Sequence, residues 1–451
     1  MSSLDTDTIS AIATAPGIGG IGIIRLSGPQ SLYIAEQICQ QSLTVRHAHF
    51  CNFSAQQKDV IDSGLALYFQ APASFTGEDV VELQAHGGPV VLDMLLRETV
   101  RLGARHARPG EFSERAFLND KLDLVQAEAI ADLINSGSEQ AARSALKSLQ
   151  GEFSRHLDQL GAQLLQLRIY VEAALDFPEE EIDFLNDSDV HNKLEQLSAT
   201  LNRSVQQTRQ GTLLQEGISI AIAGKPNAGK SSLLNALAGY ESAIVTSQAG
   251  TTRDVLREHI HIDGLQIHLV DTAGLRESDD LIEQEGVRRA YKEFKKADLI
   301  LLVCDASEEA GNTAEECWPS PLPSAEILTR AIVVKNKMDL LEKSIENTSV
   351  VCHLSAKTGE GIEALRERIA QHAGFQGGTS SPFMARRRHL DALEKAANLI
   401  SQGHTQLREL GAGELLAEDL RQAQDCLSEI SGKVSSDELL GEIFAGFCIG
   451  K

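Results

Sequence analysis

The run Gly224-Lys225-Pro226-Asn227-Ala228-Gly229-Lys230-Ser231 has the residue types and the spacing to hold a chain of phosphates. It fits G-x-x-x-x-G-K-[ST], a pattern that carries chemistry where a strand ends and a helix begins. Both neighbours are present, the strand-like run Gly217 to Ala223 before it and the apolar helical pattern Leu233 to Leu237 after it. The glycines of such a loop let backbone N–H groups, here around Asn227, Ala228 and Gly229, converge on phosphate oxygens. Lys230 should reach the β- and γ-phosphates, Ser231 should ligate a magnesium ion, and Ser232 extends the same contact surface.

Further short motifs each follow a strand-like run. Asp271-Thr272-Ala273-Gly274 comes after Leu265 to Val270; its aspartate can hold magnesium through water and its glycine N–H can touch the γ-phosphate. Asn336-Lys337-Met338-Asp339 comes after Ala331 to Lys335. The Asp339 carboxylate can accept from the ring N–H and exocyclic amine of guanine, whereas adenine would leave a desolvated carboxylate unpaired. Ser355-Ala356-Lys357 can support the base, and Thr251-Thr252 lies where a switch segment belongs, so that Thr252 can complete the magnesium shell. Each motif is weak alone. Their order, each at the carboxyl end of a strand, matches where open α/β sheets bind ligands. The set resembles the translation-factor-related GTPases and points to binding and hydrolysis of GTP.

Hydrolysis also needs a positioned water and a counter-charge. In Ras-like proteins a glutamine directly after D-x-x-G orients the water; here that place is Leu275. Glu277, Asp279, Asp280, Glu283 and Glu285 are the nearby acids, and any one of them can equally serve to solvate a switch loop. Arg253 and Arg276 can offset transition-state charge in cis. Asn227 offers a different route, since its side-chain oxygen and backbone carbonyls of the switch segment can hold a monovalent cation.

These loops require a sheet. Residues 216–376 alternate short aliphatic runs with helical patterns, the mark of a parallel α/β sheet. Residues 1–118 carry strand-like runs at Ile9 to Thr14, Ile21 to Leu26 and Gly64 to Phe69. Residues 119–215 read as helix, with Leu122, Val125, Ala129 and Leu133 at helical spacing. After a linker at 374–382, Leu390, Leu393, Ala397 and Ile400 line one helix face. Leu416, Leu420, Ala423, Leu427 and Ile430 line another, and Ser435-x-x-Glu438 caps a last helix. The polar, Pro-rich stretch 307–325 reads as a surface loop. Helix on both sides of the α/β unit is most simply one helical domain with that unit inserted into it.

Composition narrows the options. A chain of 451 residues suggests two to four domains. A formal net charge of −23 is a poor field for nucleic acid, so an RNA ligand would need a partner protein or a local patch such as Arg386-Arg387-Arg388 or Arg101, Arg105 and Arg108. No apolar run long enough to span a membrane is present, and the first residues lack a signal-peptide pattern. Seven scattered cysteines, an odd number with no C-x-x-C pair, suit a reducing cytosol. The terminal Cys448-Ile449-Gly450-Lys451 departs from C-a-a-X, and Cys448 by itself reads as a packed thiol.

The flanks carry their own motifs. Gly17 to Gly22 satisfies G-x-G-x-x-G, but the strand-like Ile21 to Leu26 that follows excludes a dinucleotide fingerprint, which must open a helix. His86-Gly87-Gly88-Pro89 lacks the nucleophile elbow of an esterase. Phe75-Thr76-Gly77-Glu78-Asp79-Val80-Val81-Glu82-Leu83, the His-Gly-Gly-Pro run, the stretch Arg108 to Leu124, the inserted Asp271 to Arg276 motif and the Cys-Ile-Gly-Lys end occur together. With them the chain resembles, over essentially its whole length, the bacterial tRNA modification GTPase family MnmE (TrmE).

That resemblance implies a multidomain α/β protein. An α+β N-terminal domain at 1–118 would bind folate and dimerise. A discontinuous helical domain would occupy 119–215 and 377–451, and a Ras-like parallel-sheet GTPase domain would be inserted at 216–376. The family installs a carboxymethylaminomethyl-type group on carbon 5 of the wobble uridine of certain tRNAs, with an FAD- and NADH-using partner, MnmG (GidA), as a heterotetramer or larger, in the cytoplasm. Its folate contacts, to 5-formyltetrahydrofolate or a related folate, fall on Arg25, Glu82, Lys121 and Lys451, and its C-terminal cysteine on Cys448. Its potassium ligand falls on Asn227, with Thr246, Gln248 and Thr251 from a loop whose Ser247, Ala249 and Gly250 also meet the nucleotide. Its water-orienting acid falls on Glu283. The two GTPase domains of the homodimer are expected to meet across their switches when potassium and the transition state are present, which would couple hydrolysis to the modification. The alternative is an RNA-associated regulatory switch such as a ribosome-assembly GTPase; the acidic helical flanks favour the enzyme.

Overall fold

The computed structural model describes residues 7–56, 59–176, 188–239, 257–271, 281–308, 311–319, 322–341, 348, 351–375, 383–433, 437–448 and 450. Contacts divide the chain into two compact units, Met1–Ala131 with Ser148–Leu194 and Asn398–Lys451, and Asp132–Lys147 with Glu195–Ala397.

The first unit opens with β1 (Ile9–Ile12), β2 (Gly19–Ser27), α1 (Ser31–Cys39), β3 (His49–Ser54), β4 (Val60–Phe69), β5 (Val80–Gly87), α2 (Pro89–Arg101), β6 (Arg105–His106) and α3 (Glu111–Leu118). The strands form one sheet in the order β3-β4-β5-β2-β1-β6, antiparallel except where β6 runs parallel to β1. Strand alternation sets its two faces. Ile24, Leu26, Leu83 and Phe53 pack with Ile34 and Ile38 of α1 and Leu92 and Leu95 of α2. Arg25 and Glu82, register partners on β2 and β5, fall on the alternate positions. As the sequence indicates, the glycine run Gly17 to Gly22 leads into a strand rather than a helix.

Helix α4 (Leu124–Asn135) begins later than the Leu122 stripe suggests. Asp123 and Gln126 cap each other reciprocally, at 2.8 and 3.1 Å, and this capping box places the start after Leu122. There follow α5 (Glu139–Leu149), α6 (Glu152–Asp176) and α7 (Ser188–Glu216).

The second unit contains β7 (Ile218–Ala223), α8 (Lys230–Ala238), β8 (Arg257–Ile262), β9 (Leu265–Asp271), α9 (Leu281–Lys296), β10 (Leu299–Asp305), α10 (Ala314–Cys317), α11 (Ala325–Thr329), β11 (Ala331–Asn336), β12 (Val351–His353) and α12 (Ile362–His372). The sheet order is β12-β11-β10-β7-β9-β8. All neighbours are parallel except β8, which pairs antiparallel with β9. The expected parallel sheet therefore has an antiparallel edge. The cause is local: Asp263 and Gly264, at φ 51° and 87°, form a tight turn that joins β8 directly to β9. Aliphatic cores fill both faces, with Leu301, Val303 and Val334 in one and Ile300, Leu302 and Val333 in the other.

The stretch 307–325 is more than a surface loop. Thr313 and Glu316 form a capping box that starts α10, and Cys317 and Trp318 are buried against Phe294 and Ile327. The local cap turns the chain so that its apolar pair faces inward. The linker residues 376–382 lie outside the described residues.

Helices α13 (Arg387–Leu410), α14 (Gly413–Ser431) and α15 (Asp437–Ala445) complete the chain. On α14, Leu416, Leu420, Ala423, Leu427 and Ile430 are all buried, and α14 packs on α6. Each large aliphatic side chain so placed contributes roughly 1.5–3 kcal/mol. On α13 the fully buried alanine is Ala396 rather than Ala397. The proposed Ser435–Glu438 cap involves residues outside those described. Among the described residues no helix is long and apolar enough to cross a membrane.

Candidate functional site

At the end of β7 the chain passes so close to β10 that a Cβ on Gly224 would collide with the Val303 carbonyl, and φ is 143°. Glycine is required there by contact as well as conformation. The loop that follows delivers Asn227 in a left-handed conformation, φ 65°, and opens α8 at Lys230. The Lys230 ammonium folds over the loop and donates to the Gly224 and Lys225 carbonyls at 2.9 and 2.8 Å. Ser231 and Ser232 lie exposed in the first helical turn, which carries no acid. A helix start of this kind attracts phosphate through its free N–H groups and dipole.

Two strands away, β11 ends at Asn336, which is buried. Its amide donates to the Ala228 carbonyl at 3.0 Å, and its oxygen accepts from the Ala356 N–H at 2.9 Å. One side chain thereby ties the phosphate loop, the Asn336–Asp339 loop and the Ser355–Lys357 loop together. Lys337 adopts φ 68°, a left-handed conformation that costs a non-glycine residue roughly 1–2 kcal/mol. A 3-10 turn over Met338–Leu340 then exposes Asp339. The buried Ser355 hydroxyl donates to Asp339 Oδ1 at 2.7 Å and accepts from the Thr358 N–H at 3.2 Å, so the carboxylate is held in one orientation. Lys357 is exposed beside it.

Sequence reading overlooked Asp305. It closes β10, is 5% exposed, and accepts from Lys337 Nζ at 2.6 Å through Oδ2. Its Oδ1 accepts from the Ser307 N–H and hydroxyl at 3.0 and 2.6 Å. Burial alone would raise its pKa, but the bonds from Lys337 and Ser307 outweigh it and hold the carboxyl below its usual range. The available signal was an acid ending an otherwise aliphatic strand, Leu299 to Asp305.

On the other side of β7, Asp271 ends β9 in register with Ile222. That puts its backbone at the same sheet edge as the start of α8; carboxylate and hydroxyl are the oxygen donor types that magnesium takes. Its side chain, and those of Glu283 and Glu285 at the start of α9, lie outside the described residues. So do Thr246, Ser247, Gln248, Ala249, Gly250, Thr251, Thr252, Thr272, Ala273 and Gly274, and with them Arg253, Leu275, Arg276, Glu277, Asp279 and Asp280.

In the first unit, Arg25 Nε and Nη2 donate to Glu82 Oε1 at 3.0 and 2.9 Å, and the guanidinium lies 5.6 and 5.8 Å from the ring centroids of Phe75 and Phe112. The C-terminal segment returns to this place: Arg25 Nη1 is 3.5 Å from the Gly450 carbonyl, and the Gly110 N–H donates to the Cys448 carbonyl at 3.3 Å. The Cys448 thiol is exposed, which corrects the packed thiol read from the sequence; Phe444 and Phe447 take the buried positions beside it. Lys121 donates to the Pro72 carbonyl at 3.0 Å, and Lys451 lies outside the described residues.

In the basic clusters, five arginines pair with acids. Arg386 pairs with Asp132 and Arg387 with Asp391. Arg101 pairs with Glu98, Arg105 with Asp7 and Glu111, and Arg108 with Glu114.

Known proteins match the chain from end to end. The family model for the N-terminus of GTP-binding protein TrmE matches residues 8–121, and that for the MnmE helical domain matches residues 124–448. The tRNA modification GTPase MnmE of Marinobacter nauticus is 56% identical over 452 residues, covering 99% of this chain and 99% of the relative. That of Ectopseudomonas mendocina is 57% identical over 450 residues, with 99% of each covered. Among solved structures, the G domain of the T. maritima FeoB iron transporter aligns at 29% identity over 35% of this chain and 98% of its own, with a TM-score of 0.25. The chain therefore belongs to the MnmE family of tRNA modification GTPases and is a GTP hydrolase.

Proposed function

We propose that this GTP hydrolase is stimulated by potassium and acts on tRNA, modifying carbon 5 of the wobble uridine with a carboxymethylaminomethyl-type group. The one-carbon unit comes from a formyl-tetrahydrofolate, and an FAD-dependent, NADH-using partner of the MnmG type completes the enzyme in the cytoplasm. The observation that carries this reading is the whole-chain likeness to proteins named tRNA modification GTPase, joined to a nucleotide site whose loops are tied together by Asn336.

Within the proposed site, GTP lies along the Asn227–Ser232 loop, with Lys230 released from its loop carbonyls onto the phosphates. Ser231 and Thr252 would hold a magnesium ion, and Asp271 would do so through water; the ion would supply charge neutralisation to the phosphates. Asp339, oriented by Ser355, reads guanine, and Ala356 and Lys357 border the base. Asn227, Thr246, Gln248 and Thr251 hold potassium, and Glu283 orients the attacking water. Folate meets Arg25, Glu82, Lys121 and Lys451, with Cys448 exposed beside it. The domains run 1–118, 119–215 with 377–451, and 216–376, and the first of them pairs two copies of the chain.

The test is the nucleoside content of tRNA from cells lacking the protein. Loss of the wobble-uridine modification with normal ribosomal subunits is the expected result; intact modification with defective subunits would favour the assembly-factor reading.

A further inference from the structure

We propose that Asp305 is a positioning residue of the guanine site: by holding the Lys337 ammonium it fixes the left-handed turn that presents Asp339 to the base. The inference rests on reading Asn336–Asp339 as the base loop. Its carrier is the asymmetry of the pair. Asp305 is 5% exposed and anchored through Oδ1 by the Ser307 N–H and hydroxyl, which leaves Oδ2 turned to Lys337 at 2.6 Å. The Lys337 side chain is one-third exposed, at 33%. The carboxylate is thus the fixed member and the lysine comes to it.

The backbone places the two for this purpose. Asp305 is in register with Asn336 across β10 and β11, and the Ala306 N–H donates to the Asn336 carbonyl at 2.9 Å. The base loop is therefore held on three sides. Asn336 ties it to the phosphate loop, Ser355 ties Asp339 to the following loop, and Asp305 ties the intervening Lys337 to the end of β10. Lys337 is the one residue of the loop at positive φ, so it is where the loop would relax if a tie were lost. Asp339 lies two residues further on and moves with it.

The experiment measures GTP, GDP and XTP affinity, nucleotide dissociation and steady-state hydrolysis on the full chain carrying Asp305→Asn, Lys337→Met, both together, and Asp339→Asn. Asp305→Asn is expected to weaken GTP and GDP alike by about tenfold, the worth of one charge-assisted hydrogen bond, through faster dissociation. Its kcat at saturating GTP should stay within about twofold, and its preference for GTP over XTP should narrow. Lys337→Met leaves the buried carboxylate in place and should weaken binding as much; the double variant should be no worse than either. A merely structural Asp305 would lower thermal stability without narrowing the base preference. Wild-type affinity in Asp305→Asn or Lys337→Met, or additive losses in the double, overturns the proposal. Asp339→Asn should exchange the GTP preference for XTP. If it does not, the base-loop reading fails; if it does while Asp305→Asn binds like wild type, the positioning role alone fails.

Discussion

The Asn336 amide donates to the Ala228 carbonyl at 3.0 Å although 108 residues separate them, and both groups are buried. With the Ala356 N–H on its other end, this one side chain ties together three loops at the carboxyl edge of the sheet, those after β7, β11 and β12. On the base side a nucleotide meets a carboxylate, Asp339, already oriented by Ser355, which lowers the ordering cost at that end.

Asn336→Ala should therefore damage more than one contact. It removes two hydrogen bonds and leaves the Ala228 carbonyl buried without its donor, a loss of about 2–4 kcal/mol. Both the unfolding midpoint of the nucleotide-free protein and GTP affinity should fall, the latter by well over tenfold. Equilibrium titration with GTP checks it, and unchanged affinity would show that the bridge is dispensable.

Hydrolysis should run much faster in potassium than in sodium at equal ionic strength, and Asn227→Ala should erase the difference. Asn227 stands exposed in the phosphate loop, so the substitution disturbs no buried packing, and the cost of placing alanine at φ 65° is common to both salts and cancels in their ratio. Equal wild-type turnover in the two salts would remove the cation from the reaction.

Glu283→Ala should slow turnover at least a hundredfold, as loss of a general-base or water-positioning group does, with GTP affinity nearly intact. A normal rate would shift the assignment to Asp279 or Asp280, which lie just before α9.

The Asp7–Arg105–Glu111–Arg115 network should make the first unit acid-sensitive. Hydrogen bonding to Arg105 lowers the Asp7 pKa; burial would raise that of Glu111, but bonds from Arg105 and the Arg108 N–H prevail and lower it. Carboxyls depressed in the folded state contribute stability that is complete above their unfolded values and is lost as pH falls through the folded ones. The protection of α3 amides, corrected for the intrinsic exchange rate at each pH, should thus stay high at pH 6 and fall below about pH 4. Arg105→Met should lower the stability of α3 at pH 6 and flatten its loss in acid, because carboxyls that are less depressed have less stability to lose; an unchanged pH profile in the variant would refute the linkage.

The fold was legible where local pattern suffices. The strand–loop–helix at Gly224 and the helix faces on α14 need only contiguous residues, and they appear as read. The antiparallel edge β8 was missed because the helical and strand periods are blind to direction, although Asp263-Gly264 marked the turn. The stretch 307–325 misled because its polar composition hides a capping box and the apolar pair Cys317-Trp318. Cys448 was misjudged because the neighbouring Phe444 and Phe447, not the thiol, supply the apolar contact that docks the C-terminal segment.

By itself the amino-acid order determined that a run with the phosphate-loop pattern, Gly224 to Ser231, precedes a run with the guanine-loop pattern, Asn336 to Asp339, since each pattern depends only on adjacent residues. Only the tertiary structure decided that Asn336 would clasp Ala228, that Asp305 would hold Lys337, and that Arg25 would meet both Glu82 and the returning Gly450. Those pairings follow from strand order, register and the path of the chain's end, quantities set by the burial of whole faces rather than by any local run of residues.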